Sequence, residues 1–172
     1  MIQVGSTGDF PLDTLRIQIS DRFPSFKVEN LEPIADTTEA YDSYRNQYHS
    51  TRILAMLEKH IQGLNVERLL GVVAFDLYVP GMNFVFGEAR CPGRVAVIST
   101  CRLKLGSTNE IDLFEGRVVK EAVHEIGHML GLKHCLDSSC VMHFSERLKD
   151  TDRKHADFCE NCQLDLRRLQ VG

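Results

Sequence analysis

Eleven residues constrain this chain more than any others: HEIGHMLGLKH at 124–134, which reads H-E-x-x-H-x-x-G-x-x-H. Residues four apart share one face of a helix, so His124 and His128 can bring imidazole nitrogens to a single ion about 2.0–2.1 Å from each. Glu125 stands about 100° around the same helix, outside that chelate but within reach of water at the ion. His134 lies six residues past His128, and an unbroken helix would carry it roughly 9 Å further along the axis. The helix must therefore end between them. Gly131 provides the residue that enters the left-handed conformation and turns the chain back.

The chemistry of such a set is specific. Three neutral imidazoles leave a zinc ion its full double charge and one open position, which eases ionisation of water there. Glu125 is then placed as general base, taking the proton and passing it to a leaving amine. The pattern points to amide hydrolysis, with a peptide bond as the leading substrate and a non-peptide amide as a further one. The alternative is a zinc-binding protein with little turnover that acts as a peptide-binding module. Glu125 favours chemistry, because a pure binder needs no base beside the open position.

Composition sets the frame for this site. At 172 residues the chain fits one domain. A net charge of −4 offers no broad basic surface for nucleic acid. No run approaches the roughly 20 apolar residues of a membrane span, and the N-terminus has no basic region followed by an apolar one. These features predict a cytoplasmic, monomeric protein without membrane or nucleic-acid partners.

Along the chain, Ile2-Gln3-Val4 reads as a strand before a turn near Thr7 and Gly8. Residues 11–22, with Leu12, Leu15 and Ile19 at helical spacing, read as a helix. Alternation over 26–31 predicts a second strand ending before Pro33, and 52–60 a second helix. Residues 69–79 form a nearly continuous β-branched and apolar run, as a strand covered on both faces would, stopped by Pro80-Gly81. Asp76 inside it is read as a carboxylate bonded to backbone amides, with support of a metal ligand as the functional alternative. Residues 83–89 and 94–100 add two more strands, giving about five. Asp112 with Glu115 resembles a capping box ahead of the motif helix, and an amphipathic helix spans about 152–169.

HEIGHMLGLKH followed eight residues later by Met142 resembles the metzincin clan of zinc peptidases. Cys135 directly after His134, then Cys140 and the distant Cys159-Glu160-Asn161-Cys162, narrows the resemblance to the archaemetzincins. Gln47-Tyr48-His49-Ser50 and Asn83-Phe84-Val85-Phe86-Gly87-Glu88-Ala89 also resemble segments of that family, so the likeness covers nearly the whole chain. The resemblance implies an α/β (α+β) metzincin-like fold: a mixed, mostly parallel five-stranded sheet with an antiparallel edge strand, backing helices, an active-site helix, a methionine turn and a C-terminal helix. It implies one domain over 1–172, with an N-terminal subdomain at 1–131 and a C-terminal one at 132–172. Met142 would pack below the histidines without binding metal. Phe84, Val85, Phe86, Gly87, Glu88 and Ala89 would form the edge strand, pairing with a peptide or unfolded-protein substrate by main-chain hydrogen bonds.

Cys135-x4-Cys140 and Cys159-x2-Cys162 supply two close thiol pairs, which suits a second, structural zinc. Two disulfides, a redox centre and an iron–sulfur cluster are the competing readings. Cys91 and Cys101 read as buried thiols, and His49, His60 and His155 as surface residues. His143 is either an oxyanion donor or a packing residue.

Overall fold

The structure, a computed structural model, describes residues 1–6, 10–30, 37–106 and 111–171. Its main sheet contains β1 (Ile2–Ser6), β2 (Val28–Asn30), β5 (Arg68–Val73), β7 (Gly87–Ala89) and β8 (Val95–Ser99) in the order β2-β1-β5-β8-β7. All neighbours pair in parallel except β7, which runs antiparallel to β8 and forms one edge. This is the expected mixed five-stranded sheet with an antiparallel edge.

The two central strands show why their sequences lack alternation. Leu70, Val72, Ala96 and Ile98 face one core, with Leu15 and Ile19 of α1 (Leu12–Arg22) and Val118, Ala122 and Ile126 of α3 (Ile111–Met129). Leu69, Val73, Val95 and Val97 face the other, with Ile53, Leu54 and Leu57 of α2 (Ser50–His60). Successive residues of a strand point to opposite faces, so a strand covered on both must be apolar throughout. The first core continues into Val141, Met142, Phe158 and Cys162, and so joins the end of the chain to the motif helix.

The run 69–79 is not one strand. It bends after β5, and β6 (Leu77–Tyr78) joins a second sheet with β3 (Tyr41–Asp42) and β4 (Gln47–His49), in the order β3-β4-β6. Asp76 marks the break. Arg102 binds its carboxylate through two contacts of 2.7 Å, and Gln47 Nε2 donates to it at 2.9 Å. The partners are mainly side chains rather than the expected backbone amides. A carboxylate inside an apolar run is costly to bury unpaired, and the chain turns where pairing is available. With β3, β4 and β6 added to the anticipated five, the described residues hold eight strands.

Three other boundaries differ. The strand at 26–31 shortens to Val28–Asn30; the turn at Thr7-Gly8 and the stop at Leu31 to Pro33 fall outside the described residues. Asp112 is the second residue of α3, not its cap, and its charge favours the positive end of the helix dipole. The helix at 152–169 divides into α4 (Leu148–Arg153) and α5 (Glu160–Val171), separated by a segment that buries Lys154 and Phe158. No described helix is long and apolar enough to cross a membrane.

Candidate metal centre

The motif helix α3 ends in a Schellman arrangement. The Gly131 amide donates to His128 O at 2.9 Å and the Leu132 amide to Gly127 O at 3.0 Å, with Gly131 at φ 103°. This turn does more than stop the helix. It aims Leu132 O at His128, whose Nδ1 lies 2.8 Å away, while His124 Nδ1 lies 2.7 Å from Val141 O. A carbonyl only accepts, so both Nδ1 atoms donate and both Nε2 atoms present lone pairs. Those two Nε2 atoms are 3.1 Å apart, close to the roughly 3.3 Å edge of a tetrahedron with metal–nitrogen distances of about 2.0–2.1 Å. One nitrogen from each of His124, His128 and His134 lies within 4.8 Å of the others. Facing lone pairs repel unless a cation lies between them, so the donor set fits a metal ion.

Electrostatics agree with that fit. Burial pushes the His124 imidazole well below its usual range and lowers His128 and His134, each with a contribution from Lys154. All three thus favour the neutral, ligating form. Glu125 is also buried, and burial raises its carboxyl well above the ordinary value, with the charge of Glu121 adding to the effect.

The cysteines form a second cluster with one Sγ from each of Cys135, Cys140, Cys159 and Cys162 within 4.8 Å of the rest. The Cys135–Cys159 and Cys140–Cys162 sulfur distances are both 3.7 Å. A tetrahedron with metal–sulfur distances of about 2.3 Å has edges of about 3.8 Å. All four thiols are free, so the disulfide reading does not describe this fold. Burial raises Cys140 and Cys162, whereas the backbone amide of Cys162 lowers Cys159.

The two clusters share one short connection. The Cys135 amide donates to Met142 O at 2.9 Å, and Cys135 bridges His143 in a parallel β-bridge, directly after His134. Met142 is fully buried beneath α3. A methyl group at Gly127 would sit 2.5 Å from Met142 Sδ and 3.3 Å from Phe158 Cε1, so the glycine inside the motif leaves the space that the Met142 thioether fills.

Comparison with known proteins places this architecture. The family description of peptidase family M54 matches residues 22–168. The chain belongs to peptidase family M54. The archaemetzincin of Archaeoglobus fulgidus is 48% identical over 146 residues, covering 82% of this chain and 85% of that one. The crystal structure of archaemetzincin from Methanopyrus kandleri has a TM-score of 0.87 at 37% identity, covering 99% of this chain and 95% of that one. That of the Archaeoglobus fulgidus protein, complexed with malonate, has a TM-score of 0.76 at 39% identity and covers 95% and 98%. As a member of the family, this chain is a zinc metallopeptidase.

In this M54 peptidase a cavity of about 330 Å³ opens over the histidines. Its walls include Phe84, Val85, Phe86 and Met82 on one side and Phe144 on the other, with Glu125 and Lys133 also lining it. Of the anticipated edge residues, Gly87, Glu88 and Ala89 lie in β7, whereas Phe84, Val85 and Phe86 precede it, with Val85 bridged to Leu77. Gly87 is where the edge strand meets the acid: a Cβ there would be 2.6 Å from Glu125 Oε1 and 2.9 Å from Val97 O. Its absence leaves the volume that the carboxylate occupies.

Several assignments change. Cys91 is exposed and Cys101 half-buried, so neither is the expected buried thiol; Cys91 lies at the cavity wall, with Sγ 3.4 Å from Leu132 O. His60 and His155 are exposed, but His49 is half-buried against the Tyr78 ring, 5.1 Å between centroids. His143 Nδ1 is occupied by Cys135 O at 3.0 Å, which makes it a packing residue in this structure.

One buried ion pair was not anticipated. Lys154 Nζ lies 3.1 Å from Glu121 Oε1, with side-chain exposures of 0% and 4%, and Thr151 Oγ1 donates to the same oxygen at 3.1 Å. Glu121 precedes Glu125 by one helical turn, a spacing visible in the sequence. Lys154 carries no such cue, since it sits in a polar segment whose burial depends on how α4 and α5 diverge.

Proposed function

We propose that this chain hydrolyses peptide bonds at a zinc ion held by His124, His128 and His134, with Glu125 as general base. A second, structural zinc is held by Cys135, Cys140, Cys159 and Cys162. The observation that carries the reading is the pair of Nδ1–H donations to Val141 O and Leu132 O, which commits the opposite ring nitrogens to one point. Zinc in such an open site supplies a polarised carbonyl and a more acidic water.

The chain's own residues do the rest. His124 and His128 are locked in orientation by their backbone partners, as ligands with outer-sphere hydrogen bonds are. Glu125, buried at the cavity floor, accepts a proton from water and delivers it to the leaving amine. A raised carboxyl affinity for protons suits the second half of that task, because the acid form must exist for the delivery. The free edge of β7 receives an extended peptide or unfolded chain by main-chain pairing, and the aromatic walls exclude water from the reacting bond. Gly131 sets the third ligand, and Met142 supports the floor through Gly127.

Digestion of a diverse peptide library by the zinc-loaded protein tests this reading. Cleavage that is lost in Glu125→Ala supports it. Full zinc content without any Glu125-dependent cleavage would identify a peptide-binding module instead.

A further inference from the structure

We infer that Gln47, Ser50 and Thr51 are positioning residues for substrate, pinning both ends of the cleft rim at 83–89 so that it presents a rigid edge. This deepens the peptidase reading and rests on it. The starting observation is that polar side chains at the junction between β4 and α2 bond to the rim, at Asn83 O and the Glu88 carboxylate.

At one end Gln47, buried at 6% exposure, uses both of its N–H donors and its carbonyl oxygen. Its Nε2 donates to Asn83 O at 2.9 Å and to Asp76 Oδ2 at 2.9 Å, and its Oε1 accepts from Arg45 Nε at 2.9 Å. Arg45 Nη2 reaches Asn83 O as well, at 3.0 Å. The amide can therefore not rotate without breaking several bonds at once.

At the other end the Glu88 carboxylate is held by the first turn of α2. Ser50 Oγ lies 2.5 Å from Glu88 Oε2, and Thr51 Oγ1 lies 2.9 and 3.0 Å from its two oxygens. Ser50 is fully buried. Its single proton goes to the carboxylate rather than to Tyr78 O at 3.1 Å, since a charged acceptor makes the stronger bond. The N-terminal end of α2 adds a favourable dipole for that charge.

Between these anchors the rim backbone pairs with β8 on one side and with Leu77 through the Val85 bridge, while Phe86 is buried in the core and Arg102 lies over the Phe84 ring. A strand that accepts another chain on its open edge must be ordered beforehand, or binding bears the cost of ordering it. The anchors meet that need without touching the substrate. A purely structural tie would affect stability and all ligands alike. A rim anchor affects ligands in proportion to how much of the rim they cover.

The test uses zinc-loaded Glu125→Ala protein, so that peptides bind without being consumed. Dissociation constants are measured for a blocked peptide too short to pass Gly87 and for a longer one that spans the rim. Gln47→Ala is expected to weaken the long peptide about tenfold and the short one little. Thr51→Val, which keeps the shape and removes only the hydroxyl, is expected to weaken the long peptide about threefold. Equal effects on both peptides, or none, in folded and zinc-loaded variants would overturn the inference alone. Failure of the parent Glu125→Ala protein to bind either peptide would overturn it together with the peptidase reading.

Discussion

Glu125 carries opposing demands at the scale of a single residue. Its carboxyl is raised well above the ordinary value by burial and by Glu121. A group whose folded pKa exceeds its unfolded one contributes fully below the unfolded value and loses that contribution as pH rises through the folded one. In the metal-free protein the ionised Glu125 is therefore destabilising at alkaline pH. Glu125→Gln is expected to abolish cleavage while raising the melting temperature of metal-free protein above neutral pH, with the advantage vanishing near pH 4. Calorimetry across that range checks it, and a lower melting temperature throughout would contradict it.

Gly87 makes a similar argument through space rather than charge. A methyl group placed on Gly87 would meet Glu125 Oε1 at 2.6 Å and the backbone carbonyl Val97 O at 2.9 Å, so Gly87→Ala displaces the base and shifts β7 slightly against β8. Turnover is expected to fall by about 10²-fold, the scale of a 1 Å misplacement, with zinc content unchanged. Steady-state kinetics beside metal analysis distinguishes this from loss of the ion. The residues whose roles were legible in the sequence are those tied by local geometry: the helix period joins His124 to His128, and Gly131 forces the return to His134. Gly87, Gly127 and Lys154 act across the fold, on Glu125, Met142 and Glu121, and no spacing along the chain reports those contacts.

At the scale of elements, the turn after α3 and the bend before β6 show where sequence pattern succeeds and fails. A glycine stop has a local cause, so the end of α3 could be placed. The split of the run at 69–79 has a distant one, since Asp76 finds Arg102 and Gln47 on other elements. The apolar periodicity on either side of Asp76 looks the same whether or not the chain bends. The last helix breaks for a comparable reason: Lys154 must reach Glu121 and Cys159 must reach Cys135. Cys159→Ser is expected to loosen α5 and reduce turnover while all three histidines remain. Hydrogen exchange in α5, read beside cleavage, checks this; unchanged exchange and unchanged turnover would contradict it.

For the whole molecule, the two clusters tie α5 to the segment that follows α3. The depressed histidines give a pH signature with the sign opposite to that of Glu125. Each is neutral in the fold but protonated in the unfolded chain below about pH 6.5, so the unfolded state takes up more protons and stability falls as pH drops through that value. Metal-free protein is expected to lose melting temperature from neutral pH downward, and zinc to delay the loss by competing for the same nitrogens.

The most direct measurement is elemental zinc per folded chain in the unaltered protein, His128→Ala and Cys162→Ser, read beside peptide cleavage. Two ions, one and one are the expected contents, with His128→Ala folded and inactive. Retention of both ions by folded His128→Ala, or unchanged cleavage after its loss of one, would contradict a catalytic metal at His124, His128 and His134.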